Sequence, residues 1–247
     1  MRKLFWFLVL FVILPISVGA AKSYVAGWPK SWKTADWGSS GILPDAVDVD
    51  EAQVIILSTR TGRWKSIFAE HMSIVLKRET DNAWTRYDVV GWGNPVRKDA
   101  YAADAFWYGN TPRVIYRVTG DAASRIIPAI EDNIARYPHR KRGSYTVWPG
   151  PNSNTFVSWV ARNTDGFNPE LPAVAVGKDW IAPIFGMARA PSKTGWTVSL
   201  AGVLGATAAL EEGLELHLLG STIGIDFNDL AIKLPALDKI SLMPQQH

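Results

Sequence analysis

Residues 147–160 constrain the fold of this chain more than any other stretch. The run Pro-Gly-Pro at 149–151 predicts a tight, rigid turn, because proline fixes φ and glycine accepts conformations that other residues avoid. Asn152 and Ser153 are both good N-cap residues, and the apolar residues after them recur at helical spacing. The sequence therefore predicts a helix that begins at or just before Ser153.

A helix start at Ser153 also suggests chemistry. The first turn of a helix carries unpaired backbone N–H groups and the positive end of the macrodipole, which suit an anion, an oxyanion or an activated nucleophile. The alternative is a simple helix cap after a turn, because Asn152 and Ser153 are ordinary capping residues. The stretch by itself leaves both interpretations open.

The composition limits the fold class. A chain of 247 residues, of which 47% are hydrophobic and 20% charged, can bury a substantial core, so we expect one domain with elaborations or at most two. Its 20 glycines, 15 prolines and 12 tryptophans favour a loop-rich protein over a helix bundle. We predict an α+β fold in which an antiparallel sheet packs against helices, with a β-rich C-terminal extension.

Charge and cysteine content argue against several function classes. The net charge is only +3, and Arg2 and Lys3 contribute part of it, so nucleic-acid binding is not supported. The sequence contains no cysteine, which removes disulfides, thiolate catalysis and cysteine-ligated zinc. The few histidines include no i,i+4 pair, so we expect no metal site and no cofactor. They are His71, His139, His217 and His247.

The N-terminal residues have the layout of a signal peptide. Arg2 and Lys3 precede an apolar run over 4–18, which contains a helix-breaking Pro15, and residues 18–20 resemble a cleavage site. We assign residues 1–21 to a signal peptide, with an uncleaved membrane anchor as the alternative. The protein is thus expected to be exported, either periplasmic or anchored facing the periplasm.

Three strands are predicted in the first half of the chain. Residues 53–59 predict a strand whose core, 54–57, is a continuous apolar run. Residues 64–77 predict a second long strand, and residues 84–90 the returning strand of a hairpin. Side chains alternate along a strand, so His71 shares its face with small residues. This leaves room beside the His71 ring for another side chain or a ligand, although a structural histidine is the ordinary alternative.

The partner of His71 depends on the register of that hairpin. Asp88 lies opposite Ser73 on the histidine face if paired residue numbers sum to 161, and Tyr87 takes this place if they sum to 160. Asp88 would orient the imidazole as a general base and favour its charged form, whereas Tyr87 would only position it. The sequence does not decide between them.

Further elements follow along the chain. Residues 113–118 predict a strand, and Asp121 can cap a helix that Pro128 should kink or truncate at its start. Residues 145–148 predict a short strand before the turn, and residues 213–234 predict strands of the extension. The predicted divisions are a signal peptide or anchor at 1–21, a connector packed on the core at 22–50, a core at 51–165 and an extension at 166–247.

The order of these motifs resembles that of circularly permuted papain-like proteins. The segment Asn152-Ser153-Asn154-Thr155-Phe156 resembles their Asn-Cys-x-x-Phe motif, and residues 71–76 resemble their His-x-x-Ile-x-Leu strand. That group includes lecithin retinol acyltransferase-like enzymes and permuted relatives of NlpC-type peptidases. The resemblance implies a papain-like groove between the strand and the helix.

Most of the chain also resembles a bacterial family known only as domain of unknown function 3750. The resemblance rests on residues 107–110, 145–156 and 174–179. That family has no established activity, so it implies no function.

Ser153 stands where the thiol enzymes have cysteine. A serine hydroxyl must lose its proton to a base during attack, so catalysis would need His71 as base and Asp88 as its support. The alternative is a site that binds without cutting, in which Asn152, Asn154 and Trp148 contact the ligand. We expect a non-catalytic module that binds an envelope peptide or lipid, with a serine hydrolase or acyltransferase as the alternative.

Overall fold

The computed structural model describes residues 2–27 and 31–241. Residues 28–30 of the predicted connector, including Trp28 and Pro29, lie outside the described residues, as do residues 242–247 of the predicted extension. Within the described part the protein is an α+β structure with two antiparallel sheets and four α-helices. The predicted fold class is confirmed, whereas a permuted papain-like arrangement stays a prediction.

The N-terminal segment forms one helical rod in three parts. Helix α1 (Arg2–Leu8) continues through a π-helical segment (Val9–Ile13) into helix α2 (Leu14–Val25). Pro15 does not break this rod, contrary to the sequence-based expectation, because it occupies the first turn of α2, where its missing N–H group costs little. Residues Phe5–Val25 are long and apolar enough to cross a membrane.

The first sheet has five strands in the order β4-β3-β2-β1-β5. They are β1 (Gln53–Arg60), β2 (Glu70–Lys77), β3 (Thr85–Val89), β4 (Val96–Lys98) and β5 (Arg113–Thr119). The predicted strand at 64–77 is thus too long at its start, because Arg63–Ile67 form a 3₁₀ turn that begins with a positive φ of 58° at Arg63. Such a backbone conformation is incompatible with an extended strand.

One face of this sheet carries the main core. Helices α3 (Gly120–Arg136) and α4 (Ser153–Asn163) cover it, and their buried apolar side chains meet those of β1, β2 and β3. The predicted apolar stripe of α3 is buried, but the helix begins at Gly120 and its N-cap is Thr119, not Asp121. Pro128 lies exposed inside the helix, so it does not mark the start.

The opposite face carries a smaller core and the connector. Leu43 from the connector packs with Ile55, Leu57 and Val75 on this face. His71 belongs to the same alternating set of β2 side chains as Val75, whereas Met72 is buried in the main core. The alternation predicted for β2 is therefore confirmed from Glu70 onwards.

The second sheet is an antiparallel meander of seven strands in the order β12-β11-β10-β9-β8-β7-β6. Its strands are β6 (Phe185–Arg189), β7 (Gly195–Leu200), β8 (Leu204–Ala209), β9 (Gly213–Leu218), β10 (Ser221–Asp226), β11 (Ala231–Leu234) and β12 (Asp238–Ser241). The predicted β character of residues 213–234 is confirmed. The predicted strand at 145–148 is wrong, since the Thr146 N–H group donates within its own loop, to the Pro151 carbonyl.

Candidate functional site

Asn152 fixes the start of helix α4. Its Oδ1 accepts hydrogen bonds from the backbone N–H groups of Asn154 (2.9 Å) and Thr155 (3.1 Å), as an N-cap side chain should. Its Nδ2 donates to the carbonyls of Val147 (3.1 Å) and Val176 (3.0 Å), which ties the turn to a neighbouring loop. The predicted cap is confirmed, and Ser153 is the first residue of the helix.

Gly177 has to be glycine for this cap to form. Its φ is +91°, and a Cβ placed there would lie 2.5 Å from the Asn152 Nδ2 atom. Both the backbone conformation and the close approach therefore exclude a larger residue.

Ser153 lies at the wall of a large cavity. The residue is 4% exposed, and its hydroxyl forms no hydrogen bond to another residue within the described ranges 2–27 and 31–241. The Asn152 side chain accepts from the N–H groups of Asn154 and Thr155 but makes no hydrogen bond to the Ser153 hydroxyl. It is therefore free to contact a molecule in the cavity.

His71 is held by a buried carboxylate. Its Nε2 lies 2.8 Å from Asp88 Oδ1, and both residues are almost completely buried. The register pairs Ile74 with Tyr87, which gives the sum of 161 that predicts Asp88 as the partner. Tyr87 instead donates its hydroxyl to Glu131 on the other face of the sheet, so it is excluded as the His71 partner.

Arg86 holds the same carboxylate. Its Nε lies 2.8 Å from Asp88 Oδ2, and its Nη2 lies 3.0 Å from Asp88 Oδ1. Burial alone would raise the pKa of Asp88, but Arg86 and the hydrogen bond from His71 outweigh burial and lower it to about 2. Asp88 is therefore an anion that shares its charge between an arginine and a histidine.

The same environment keeps His71 neutral. Burial lowers the pKa of His71, Asp88 raises it in part, and the positive charge of Arg86 lowers it again. An ionised carboxylate only accepts hydrogen bonds, so Nε2 must carry the ring proton. The other ring nitrogen, Nδ1, keeps its lone pair and has no hydrogen-bond partner among the described residues. His71 can thus accept a hydrogen bond through Nδ1.

Trp107 positions the imidazole from one side. The two ring centroids are 3.8 Å apart and the ring planes differ by 1°, so the indole covers one face of His71. Asn110 closes the turn that carries Trp107, and its amide oxygen accepts a hydrogen bond from Arg60 at the end of β1. The sequence shows that this loop is rich in aromatic residues, but it does not predict that Trp107 stacks on His71.

The cavity has a volume of about 710 Å³. Its walls come from helix α2, the 3₁₀ turn, the ends of β2 and β3, the aromatic loop, the turn before α4 and the second sheet. The structure brings five of the six predicted site residues to this cavity, and Asp88 lies behind one of them. The five are His71, Trp148, Asn152, Ser153 and Asn154.

Among the described residues, the carboxylates that lie close enough together to bind a metal ion are already paired with a lysine. These carboxylates belong to Glu170, Asp226 and Asp229, none of which lines the cavity. Lys239 Nζ already lies 2.9, 2.7 and 2.5 Å from a carboxylate oxygen of these three residues. The lysine ammonium supplies the positive charge that a metal ion would bring.

A family model described as "Protein of unknown function (DUF3750)" matches residues 51–180, which is more than half of the chain. No curated protein and no solved structure matches the chain. The resemblance to papain-like proteins therefore stays a prediction. The match spans the first sheet, both helices that cover it, and His71 and Ser153. The chain belongs to the DUF3750 family of proteins of unknown function.

Proposed function

We propose that this protein is an exported cell-envelope module that binds one amphipathic ligand, a peptide or a lipid, in the cavity beside His71 and Ser153. The observation that carries the proposal is the cavity itself. Its volume of about 710 Å³ is in the range of small-molecule sites, which are mostly apolar with a few placed polar groups. The apolar lining includes aromatic rings of Trp107, Tyr108 and Tyr145.

Three polar side chains at the cavity have hydrogen-bonding atoms that no described residue uses. The Ser153 hydroxyl can donate, His71 Nδ1 can accept, and neither has a hydrogen-bond partner among the described residues. Asn154 uses its Nδ2 on two backbone carbonyls, while its buried Oδ1 has no partner. Unpaired buried polar groups cost free energy, which a ligand with a carbonyl or hydroxyl group would recover.

Two features favour binding over catalysis. No hydrogen bond joins Ser153 to His71 in the described structure, so the hydroxyl is not engaged by a base. Arg86 occupies both oxygens of Asp88, so the carboxylate is less available to stabilise an imidazolium during a reaction. The first feature removes the path by which the Ser153 proton would reach His71, and the second makes His71 a weaker base.

A serine-dependent hydrolase or acyltransferase is the second candidate. The observation that favours it is the 2.8 Å hydrogen bond from His71 to Asp88, with Ser153 at a helix N-terminus on the same cavity. In this reaction Ser153 Oγ would attack a carbonyl carbon while His71 Nδ1 takes the hydroxyl proton. The proton would pass to the leaving group, and water or an acceptor alcohol would then release the acyl group from Ser153. The positive end of the α4 macrodipole would stabilise the oxyanion.

Photo-crosslinking tests the binding proposal on the full chain in detergent. The probes are palmitate with a mid-chain diazirine and a short alanine peptide that carries photo-leucine. We expect one of them to crosslink to cavity residues, as mapped by peptide mass spectrometry. Ala69→Trp should block it by filling the cavity, whereas Ala208→Trp, on an exposed position of β8, should not. If neither probe reaches the cavity lining, the proposal is wrong.

A fluorophosphonate probe separates the two candidates. Labelling of Ser153 that is lost in His71→Gln would favour the hydrolase or acyltransferase. Binding of a photo-probe without such labelling favours the non-catalytic module.

A further inference from the structure

The N-terminal helix reaches the cavity. Ile16 of α2 lines it, and Pro15, Gly19 and Ser23 of the same helix are buried against the domain. A Cβ at Gly19 would lie 2.6 Å from Ala236 Cβ and 3.1 Å from the Ile67 carbonyl oxygen. The helix is therefore seated closely on the domain, with a glycine where the two approach most tightly.

Large apolar side chains form the rim of the cavity. Trp64, Val147, Trp148 and Leu219 all line it, and they are 59%, 52%, 47% and 64% exposed. Single exposed apolar residues are ordinary, but a group around one opening marks a surface that meets another apolar phase. The rim lies beside the apolar helix Phe5–Val25, so the two surfaces can enter the same phase.

The position at which α2 contacts the domain determines how deep in the bilayer the cavity opens. The contacts at Pro15, Ile16, Gly19 and Ser23 fall in the half of the apolar segment Phe5–Val25 that begins at its middle residue, Pro15. Each helical residue rises by about 1.5 Å, so Ile16 lies roughly 13 Å along the axis from Val25. If the segment spans a bilayer, this half lies in one leaflet and the cavity opens at the level of its acyl chains.

Basic side chains lie on the 3₁₀ turn that lines the opening and in the last turn of α2. Lys65 lines the cavity, Arg63 is exposed on the same 3₁₀ turn, and Lys22 lies in the last turn of α2. Lysine and arginine beside tryptophan are typical of the membrane interface, where they meet phosphate headgroups. Trp64 stands between Arg63 and Lys65 in this turn.

We propose that the cavity ligand is a membrane phospholipid, one acyl chain of which enters the cavity directly from the bilayer beside helix α2. This inference rests on the proposed binding function and names its ligand class. The basic residues contact the headgroup phosphate, and the Ser153 hydroxyl donates to an ester carbonyl of the lipid. Helix α2 therefore serves both as the membrane anchor and as one wall of the entrance.

The test uses the full chain in lipid nanodiscs. The bilayer contains a phosphatidylethanolamine with a diazirine in its sn-2 acyl chain, and crosslinks are mapped by peptide mass spectrometry. We expect crosslinks to peptides that contain Trp107 or Tyr145, inside the cavity, in addition to those on the anchor helix. Ala69→Trp should remove the cavity crosslinks and leave the anchor crosslinks unchanged.

Gly19→Leu tests the role of the helix seat. The larger side chain should displace α2 from Ala236 and Ile67, so cavity crosslinks from the bilayer lipid should fall at least several-fold. Val18→Leu, at an exposed position of the same helix, is the matched control and should change nothing. Palmitate should still crosslink to the cavity of the Gly19→Leu protein in detergent.

The outcomes separate the two proposals. If a free probe, palmitate or peptide, reaches the cavity and the bilayer lipid does not, the binding function stands and the lipid inference is wrong. If no probe reaches the cavity, both are wrong. Cavity crosslinks that persist in Gly19→Leu would overturn entry beside α2.

Discussion

His71 and Asp88 form a buried hydrogen-bonded pair whose charge is balanced by a third residue. His71 Nε2 lies 2.8 Å from Asp88 Oδ1, and Arg86 grips both oxygens of that carboxylate from the same strand as Asp88. Burial and the positive charge of Arg86 lower the pKa of His71 and keep the imidazole neutral, and the hydrogen bond of Nε2 to Asp88 leaves the Nδ1 lone pair available. This suits recognition of a donor group at least as well as proton transfer.

Removing the carboxylate should destabilise the fold. Asp88→Asn leaves the buried Arg86 guanidinium without its counter-charge, which we expect to cost about 3–5 kcal/mol of unfolding free energy. Asp132→Asn breaks an exposed i,i+4 pair with Arg136 and should cost less than about 0.5 kcal/mol. Thermal unfolding of the full chain in detergent, followed by circular dichroism, compares them. Equal melting temperatures for the two variants would contradict the role of Asp88.

Acid should destabilise the protein through its buried histidines. Burial lowers the pKa of His71 and of His217, so the unfolded chain binds protons first as the pH falls below 6.5. The stability is fully present above 6.5 and is lost toward the lowered folded pKa, by up to about 1.4 kcal/mol per pH unit for each histidine. Melting temperatures at pH 8 and pH 5 measure this loss.

The variant His71→Gln should reduce that pH dependence. A glutamine amide can still donate to Asp88 but does not titrate, so the difference between the two melting temperatures should shrink. Lys141→Gln, at an exposed position, should leave the difference unchanged. An unaltered pH dependence in His71→Gln would show that His71 does not contribute.

The cap of α4 should account for a measurable part of the stability. Asn152→Ala removes two accepted hydrogen bonds at the helix start and leaves the Val147 and Val176 carbonyls without the Asn152 donor. We expect a loss of about 2–4 kcal/mol from the cap and the lost donors together. Asn163→Ala removes one exposed bond at the other end of the helix and should cost less than about 0.5 kcal/mol. Similar melting temperatures for the two would contradict this.

Local patterns allowed much of the fold to be predicted from the sequence. The start of α4 follows from a turn and a capping residue, and the faces of β2 follow from the period of two. The choice between Asp88 and Tyr87 differs by one residue in register, and only the strand pairing decides it. The predicted strand face carries His71 and the predicted helix start carries Ser153, and both residues line the cavity.

Contacts between distant segments could not be predicted in this way. Trp107 meets His71 through a loop whose path has no periodicity. Ile16 reaches the cavity through the docking of an N-terminal helix that the sequence presented only as a targeting segment. Each of these contacts depends on how elements pack together, which a local pattern does not encode.

A cysteine at the helix start would report directly on the His71 environment. The natural chain has no cysteine, so Ser153→Cys introduces a single thiol beside the N-terminus of α4, which should stabilise its thiolate. We expect faster iodoacetamide alkylation at pH 7 than for Ser124→Cys on the exposed face of α3, although position 153 is far less exposed. Adding His71→Gln should slow the reaction several-fold if Nδ1 contacts the thiol. Equal alkylation rates with and without His71→Gln would show that the His71 ring does not act on the residue at position 153.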